Sequence, residues 1–410
     1  MISFGNSCIS LTWVLFDLHF SLCYTEKKTE RVFFVEKQLR VALIGFGGMG
    51  QTYAKMIYDG EIPGMVLVGV CSRNEAGQTL LRENFPGVKI YSDADEMAAC
   101  EAEYDAVMIV TPHTSHIPLG LKFAELGKHL LLDKPAGVSA GDVQKLLDKC
   151  REKAVAFGMI FNNRQLPAFR AAKALLDQGA LGTLHRAVWI CNSWYRSPAY
   201  HRSASWRSSW AGECGGLMLN QNPHYLDMWQ WFFGLPDRVY ADMQFGRYND
   251  FLVDDAVDIQ FSYDNGFHGT FVSATGEAPG VNRLEIWGTK GRLVIEDGAR
   301  VWLDENAVST VEFGKTNTVK FAEIPHEIRQ VPLEAAENPY GRVFANFARH
   351  VLDGEELFAE GADGLRTAQL TNAIYLSGWE ERKISLPVDV KQYEEGLRLR
   401  QEMEKNRAKV

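Results

Sequence analysis

A glycine-rich turn between an apolar run and a helical stretch constrains the fold of this chain more than any other feature. The turn follows the run 41–44, opens the stretch 49–58, and consists of Gly45, Phe46, Gly47, Gly48, Met49 and Gly50. In this context the G-x-G-x-x-G spacing is typical of a dinucleotide-binding loop. We expect Gly45 to form the tight turn, Gly47 to let a pyrophosphate approach the backbone, and Gly50 to let the helix pack on the strand. The pyrophosphate would lie at the positive end of the helix dipole.

The first 160 residues repeat this alternation of short apolar runs and amphipathic stretches. The apolar runs lie at 41–44, 66–70, 106–110, 130–132 and 155–160, and amphipathic stretches lie at 114–126 and 139–151. Consecutive apolar positions are typical of parallel strands that are buried on both faces. The alternation therefore predicts an α/β fold with an N-terminal doubly wound Rossmann domain over residues 37–160.

The pattern changes after residue 160. Helical stretches at 165–178 and 223–233 precede strand-like runs at 239–245, 256–263, 269–274, 284–287 and 292–296. Turn sequences at 264–266 and 288–291 indicate hairpins between neighbouring runs, and helical stretches follow near 339–352 and 363–383. These features predict a C-terminal α+β domain with a mostly antiparallel sheet over residues 161–388. Residues 389–410 are highly charged, and we expect a surface helix or tail there.

Composition excludes several classes of partner. The net charge of −9 argues against nucleic acid or an anionic membrane, because both bind basic surfaces. The seven cysteines are dispersed and form no C-x-x-C pair, which favours reduced thiols and a cytoplasmic location, and we expect no metal. Residues 1–36 lack the basic start of a secretory signal and the length of a membrane span. We interpret them as a disordered leader or as sequence upstream of the natural start.

The end of the second apolar run bears on the choice of cofactor. An NAD-specific site usually has Asp or Glu there to bind the ribose 2′-hydroxyl, but the first acid in this chain is Glu75. Ser72 and Arg73 precede it, and a guanidinium can bind a 2′-phosphate through two hydrogen bonds. We therefore predict NAD(P) as cofactor and favour NADP over NAD.

Three further motifs follow in order along the chain. They are VTPHTSH at 110–116, LDKP at 132–135 and GGLMLNQNPHYLD at 215–227. Together with the glycine-rich turn they resemble the glucose–fructose oxidoreductase, inositol dehydrogenase and MocA family over about residues 38–385. Shorter similarities at 288–293 and 363–366 support the resemblance. The combination in this order is specific, although each motif alone is common.

The resemblance implies a Rossmann domain followed by a domain with a large open sheet, through which copies of the chain form a homo-oligomer, a dimer or a tetramer. It implies substrates that are mostly sugars, polyols and glycosides. Residues expected along the cofactor are Thr111, Pro112, His113, His116, Asp133, Trp206 and Arg207. Lys134 would lie beside the nicotinamide and the reacting hydroxyl, and His224 would transfer the proton.

The third motif departs from the family pattern at one position. Dehydrogenases of the family commonly have Asp four residues before the catalytic His, whereas this chain has Asn220. An amide forms hydrogen bonds but cannot take a proton, so the chemistry would rest on Lys134 and His224, with Asn220 as a third candidate. Asn222 and Pro223 predict the N-cap and first residue of a helix; an earlier helix start would make Pro223 a kink.

Aromatic residues are concentrated in the part of the chain that would form the substrate side. Six tryptophans lie between residues 189 and 231, and flat rings can pack on the apolar faces of a sugar. Core packing and a subunit contact are the alternatives for most of them. The candidate substrate-binding residues are Lys134, Asn163, Trp194, Tyr195, Arg196, Asn220 and His224.

These observations predict an NAD(P)-dependent oxidoreductase. It would move a hydride between the nicotinamide and a ring carbon of a sugar, glycoside or cyclic polyol, with C3 of a hexose or glycoside preferred. Two alternatives stay open. One is a redox-neutral enzyme that keeps its cofactor bound and cleaves a glycoside after transient oxidation. The other is a non-catalytic regulator that binds cofactor or sugar, although the presence of both Lys134 and His224 favours an enzyme.

Overall fold

The first half of the chain forms a six-stranded parallel sheet, as the sequence predicts. The computed structural model describes residues 37–407, and the expectation for residues 1–36 lies outside this range. The strands are β1 (Leu39–Ile44), β2 (Met65–Cys71), β3 (Lys89–Tyr91), β4 (Ala106–Ile109), β5 (His129–Leu132) and β6 (Phe157–Met159). Their order is β3-β2-β1-β4-β5-β6. The order reverses between β1 and β4, which is where open α/β sheets bind ligands.

Helices cover both faces of this sheet. They are α1 (Gly48–Tyr58), α2 (Glu75–Asn84), α3 (Ala94–Ala99), α4 (His116–Glu125) and α5 (Ala140–Glu152). Ser139 begins α5 as the sequence indicates, because its hydroxyl accepts a hydrogen bond from the amide of Gly141. The sequence pattern missed β3, which has only three residues and a single buried side chain.

The second half forms a nine-stranded, mostly antiparallel sheet. Its strands are β7 (Leu184–Cys191), β8 (Arg238–Phe245), β9 (Asp254–Ser262), β10 (His268–Ala274), β11 (Asn282–Gly288), β12 (Gly291–Glu296), β13 (Arg300–Asn306), β14 (His326–Gln330) and β15 (Ile384–Ser385). They lie in the order β14-β13-β12-β11-β7-β10-β9-β8-β15, and only β7 and β10 run parallel. The five strands expected from sequence are present, whereas β7, β13, β14 and β15 were not predicted.

Most helices of the second half pack on one face of the nine-stranded sheet, and others pack against the parallel sheet of the first half. They are α6 (Pro167–Asp177), α7 (Pro198–His201), α8 (Leu217–Asn220), α9 (Pro223–Phe233), α10 (Thr310–Thr316), α11 (Pro339–Asp353), α12 (Gly361–Glu380) and α13 (Val390–Arg407). Helix α11 shares a core with β1 and α1, where the rings of Phe344 and Tyr53 lie 5.1 Å apart. The charged C-terminal segment forms α13, which buries Tyr393 and Leu397 against the second domain.

A buried ion cluster joins the two halves. Arg164 lies just after the first sheet, in the short 3₁₀ helix Asn162–Gln165. Its guanidinium binds both carboxylate oxygens of Asp227 in α9, at 2.6 and 2.8 Å, and lies 2.9 Å from a carboxylate oxygen of Asp363 in α12. Asp227, which could have oriented His224, is therefore committed to Arg164 instead.

Three properties of the described residues concern their thiols, the hydrophobicity of their helices and their possible metal ligands. The cysteines in residues 37–407 are all free thiols. No helix in that range combines the length and hydrophobicity needed to cross a membrane. The same residues contain no group of three or more His, Cys, Asp or Glu side chains arranged to hold a metal ion.

We predict that Arg164→Leu will lower the free energy of unfolding by about 3–5 kcal/mol, because it leaves the Asp227 carboxylate buried without its cation, whereas Asp363 keeps its ion pair with Arg366. Urea denaturation followed by tryptophan fluorescence measures the change. The control is Arg398→Leu, which breaks an exposed ion pair with Glu402 and should cost no more than about 1 kcal/mol. Equal effects of the two substitutions would contradict the role given to the cluster.

Candidate active site

A cleft of about 800 Å³ lies at the carboxyl edge of the parallel sheet, where the strand order reverses. Both halves of the chain line it: the glycine-rich turn after β1 and the loops after β2, β4 and β5 form one side, and residues from the segment 200–224 form the other. Its volume lies within the usual range of cofactor and ligand sites.

The glycine-rich turn has the geometry that a bound pyrophosphate needs. Gly45 has φ +102°, and a Cβ there would lie 2.6 Å from the carbonyl oxygen of Val110. A Cβ on Gly50 would lie 1.9 Å from the carbonyl oxygen of Gly45, so α1 packs closely on the turn. A Cβ on Gly47 would meet nothing within 4 Å, and no side chain caps α1. The first amides of α1 are therefore free to bind an anion.

The loop after β2 presents polar groups to the cleft. Ser72, Arg73 and Asn74 line it, and the Asn74 side chain also caps α2 by accepting a hydrogen bond from the amide of Gly77. None of these three residues is acidic, and among the described residues Arg73 has no carboxylate partner. This end of the cleft therefore has a cationic side chain where an NAD-specific site usually has an acid.

The loops after β4 and β5 contribute most of the residues expected along the cofactor. Thr111, Pro112, His113 and Asp133 line the cleft. His116 does not: it is fully buried, and its ring nitrogens lie 2.7 Å from the carbonyl oxygen of Thr111 and 2.8 Å from that of Pro135. The expected cofactor contact of His116 is therefore replaced by a structural one that joins the two loops.

Lys134 reaches across the cleft to the second domain. Its Nζ donates a hydrogen bond of 2.7 Å to the main-chain carbonyl of Asn220 in α8. Burial lowers the pKa of Lys134, and the neighbouring carboxylates of Asp133 and Glu213 oppose that shift. Burial raises the pKa of Asp133 in turn, and the ammonium of Lys134 opposes it. The ammonium keeps two N–H groups beyond the one it donates to Asn220.

His224 lies in the first turn of α9, as the Asn-Pro sequence predicts. Asn222 is the N-cap and Pro223 the first helical residue, although the Asn222 side chain accepts a hydrogen bond from Ser273 rather than capping the helix. The Nδ1 atom of His224 is buried without a partner among the described residues. Burial lowers the pKa of His224 well below its usual range, and the nearby charge of Lys134 adds to the shift. The ring is therefore neutral near pH 7 and able to accept a proton.

Trp206, Arg207 and Tyr200 close the cleft from the second domain. Arg207 donates a hydrogen bond of 2.9 Å to the Tyr200 hydroxyl and stacks on the rings of Tyr200 and Trp206, at 4.6 Å from each. The Trp206 ring lies 5.8 Å from that of His113. The first two were expected from sequence. Tyr200 was noted only as one of the aromatic group, and its contact with Arg207 identifies it as part of the site.

Four candidate substrate residues do not line the cleft. Asn163 lies in the 3₁₀ helix beside Arg164. Trp194, Tyr195 and Arg196 lie in the connection after β7, where Trp194 packs edge-on against Tyr225 and Tyr195 is 53% exposed. The amide of Arg196 donates a hydrogen bond to the carbonyl of Thr275, and its guanidinium lies 5.1 Å from the ring of Tyr200, which lines the cleft. The concentration of aromatic residues in this part of the sequence did not indicate which of them line the cleft.

The sequence analysis missed a buried carboxyl group behind the cleft. Glu213 is 1% exposed and accepts hydrogen bonds from the side chain of Asn220 and from the amide of Ser208. Burial raises the pKa of Glu213 to about 7. Its position two residues before the Gly-Gly pair was the only sequence signal. Tyr53 and Tyr340, which pair at 5.2 Å and line the cleft beside Asp133, were missed as well.

The fold and the cleft define a dinucleotide-binding oxidoreductase. Residues 39–161 match the family model of the NAD-binding Rossmann fold of the GFO/IDH/MocA oxidoreductases, and residues 169–294 match that of the GFO/IDH/MocA C-terminal domain. Together the two matches cover more than half of the 410 residues. The chain belongs to the GFO/IDH/MocA oxidoreductase family.

Individual relatives are distant. The chain is 25% identical to myo-inositol 2-dehydrogenase of Thermotoga maritima over 359 residues, which are 85% of this chain and 98% of that protein. It is 28% identical to mouse trans-1,2-dihydrobenzene-1,2-diol dehydrogenase over 237 residues, which are 57% of this chain and just under two thirds (66%) of that one. Among solved structures, the WlbA dehydrogenase of Bordetella pertussis in complex with NADH and UDP-GlcNAcA is similar, with a TM-score of 0.72 and 23% identity. That similarity covers 86% of this chain and all of the other.

Proposed function

We propose that the protein is an NAD(P)-dependent dehydrogenase, or the reverse reductase, that acts on a secondary hydroxyl or ketone in the ring of a sugar, glycoside or cyclic polyol. The observation that carries the proposal is the convergence of Lys134 and His224 on the cleft that the glycine-rich turn also lines. One is a buried ammonium with two N–H donors left, and the other is an imidazole whose pKa burial lowers well below its usual range, so that it is neutral near pH 7. A ring hydroxyl between them would meet both a donor and an acceptor.

In the proposed reaction, the nicotinamide supplies the hydride acceptor or donor. The amides at the start of α1 hold the pyrophosphate. The neutral ring of His224 takes the hydroxyl proton as the hydride leaves carbon. Lys134 donates a hydrogen bond to the same oxygen and stabilises the negative charge that develops on it, an effect that burial strengthens. Arg207 and Trp206 fix the ligand from the side of the second domain.

The relatives support the substrate class. The Thermotoga protein is named for oxidation of an inositol, and the mouse protein for oxidation of a dihydrodiol. Both compounds carry secondary hydroxyls on a six-membered ring. The WlbA structure holds NADH and a nucleotide sugar acid, which supports a carbohydrate in a cleft of this fold.

The test is a spectrophotometric screen of inositols, hexoses, glycosides and dihydrodiols with NAD⁺ and with NADP⁺. We expect at least one ring alcohol to reduce one of the cofactors. The NMR spectrum of the product then identifies the oxidised carbon, for which C3 of a hexose or glycoside is our prediction. Failure of the whole panel, despite tight binding of NAD(P)H, would contradict the proposal and favour a regulator.

We predict that Lys134→Ala and His224→Ala will each lower kcat by at least about 100-fold, because each removes a group that handles the proton or the charge on oxygen. The affinity for NAD(P)H, measured by its fluorescence, should change little. The control is Lys128→Ala, a surface lysine at the opposite end of β5. Near-normal turnover in both cleft variants would show that the reaction takes place elsewhere.

We propose NADP(H) as the preferred cofactor, since Arg73 lines the cleft in the loop after β2, where an NAD-specific site usually has an acid. Arg73→Ala should lower the affinity for NADPH by about 10-fold or more, the scale of a lost charge-assisted hydrogen bond. The affinity for NADH, measured in the same titration, should stay within about twofold and serves as the internal control. An unchanged NADPH affinity would remove the argument for NADP.

We propose that the chain forms a homo-oligomer through the face of the second sheet opposite its helices. Side chains on that face include Ile190, which is 37% exposed, and the half-buried Val188, Val272 and Trp287. Partly exposed apolar side chains on a broad sheet face are typical of a subunit contact. Ile190→Asp should shift the mass measured by light scattering towards the monomer, whereas the exposed control Met403→Asp should not. A wild-type protein that is monomeric at all concentrations would contradict the proposal.

A further inference from the structure

The carboxyl group that the family pattern places four residues before the histidine is absent from this chain, and a different buried carboxyl group lies close to the vacated position. Asn220 occupies the family's Asp position, and its amide donates a hydrogen bond to Glu213. The same residue's main-chain carbonyl accepts the hydrogen bond from Lys134. One asparagine thus connects the carboxyl group of Glu213 to the ammonium that faces the cleft.

Glu213 lies one layer behind the surface of the cleft. Asn220 and Tyr200 line both the cleft and a small cavity of about 10 Å³ behind it, and Glu213 lines only the second. The Tyr200 hydroxyl donates a hydrogen bond of 3.3 Å to Oδ1 of the Asn220 side chain and accepts one from Arg207. Every polar atom of the Asn220 side chain is therefore held, and Glu213 holds the amide end.

We propose that Glu213 is a positioning residue for the proposed oxidoreductase reaction, which fixes Asn220 and, through it, the orientation of Lys134 beside the reacting oxygen. The effect of Glu213 on the reaction rests on the proposed function. The contacts among Glu213, Asn220 and Lys134 exist without substrate and do not depend on that function. The glutamate would replace the family's aspartate from a different position in the chain.

The charges around Glu213 support this role. Burial raises the pKa of Glu213 to about 7, against the hydrogen bonds from Ser208 and Asn220 and the charges of Arg207 and Lys134. Its neighbours also include Cys214, whose pKa burial raises to about 11, and His113, whose ring is neutral because burial lowers its pKa. Glu404 of α13 accepts hydrogen bonds from the amides of Trp210 and Ala211, which lie in the same loop as Glu213.

The sign of the pH effect follows from these contacts. Glu213 is protonated below about pH 7 and charged above it. Its negative charge raises the pKa of Lys134, so the ammonium is best supported above pH 7. The turnover should therefore rise as the pH increases through the pKa of Glu213.

The experiment compares three variants with the wild type. Glu213→Gln removes the charge, and Glu404→Gln makes the same change to a carboxylate of α13 that binds the same loop at Trp210 and Ala211 but forms no hydrogen bond with Asn220 among the described residues. The double variant Glu213→Gln with Asn220→Asp exchanges amide and carboxylate, so that the hydrogen bond between the two side chains is kept with its direction reversed and the amide of Ser208 still has an acceptor. This exchange keeps the test decisive if Glu213→Gln alone unfolds the protein.

The first measurement needs no substrate. Infrared titration of the protein should give a wild-type minus Glu213→Gln difference that contains a protonated-carboxyl band, lost as the pH rises through about 7. The wild-type minus Glu404→Gln difference should lack it. A Glu213 that is already ionised at pH 5, or no band assigned to it, would overturn the proposal whatever the enzyme acts on.

The second measurement uses the ring alcohol with the highest turnover in the screen. Glu213→Gln should lower kcat by about 10- to 100-fold, at or below the scale of lost acid–base catalysis, with little change in KM and without the rise near pH 7. The exchanged double variant should recover most of kcat, and Glu404→Gln should match the wild type. Wild-type kcat and pH dependence in Glu213→Gln, or an equal loss in Glu404→Gln, would overturn the proposal. Absence of any turnover in the wild type contradicts the proposed function and leaves the infrared result to decide whether Glu213 holds Asn220 as a buried acid.

Discussion

Arg164 binds carboxylates from two helices that approach it from the second half of the chain. Asp227 belongs to α9 and Asp363 to α12, and all three side chains are buried. Because His224 lies one turn before Asp227 on α9, the position of its ring relative to the parallel sheet depends on this cluster. A buried ion pair tolerates little displacement, since separation would leave charges without water or counterion. Contacts that lie outside the site therefore fix the relative position of its two halves.

Exclusion of water also sets the protonation state of the titratable groups within the cleft. Burial lowers the pKa of Lys134 and of His224, and the charge of Lys134 lowers the pKa of His224 further. The Nδ1 atoms of His224 and His113 are buried without partners among the described residues. An unpaired buried polar atom is costly. Burial accordingly lowers the pKa of both rings and keeps them neutral near pH 7.

Local physical signals were enough to predict the first sheet and one helix of the site. The glycine-rich turn requires a positive φ at Gly45 and close packing at Gly50, and only glycine satisfies both. The Asn-Pro pair fixes the start of α9 and with it His224. Strand β7 was missed because His185 and Arg186 interrupt its apolar pattern near its start.

The contacts of Glu213 could not be predicted in the same way. They depend on the connection between β7 and α8, in which Ser208 and Cys214 both adopt a positive φ, at 53° and 63°. Non-glycine residues rarely adopt this conformation, and no sequence pattern indicates it. Trp194, Tyr195 and Arg196, which do not line the cleft, lie in the same connection, and its hydrogen bond to the carbonyl of Thr275 could not be predicted from sequence either.

Lys134 contacts a main-chain carbonyl, and this explains how a carboxyl group one layer behind the cleft can support the ammonium as well as a carboxyl group in direct contact with it. A carboxylate in direct contact would form an ion pair and compete with the substrate for the ammonium. The carbonyl of Asn220 instead takes one of three N–H donors and is itself uncharged. Glu213 then acts on Lys134 through the fixed position of Asn220 and through its field, which the low dielectric of the interior strengthens. The ammonium keeps its remaining donors for the oxygen that changes charge in the reaction.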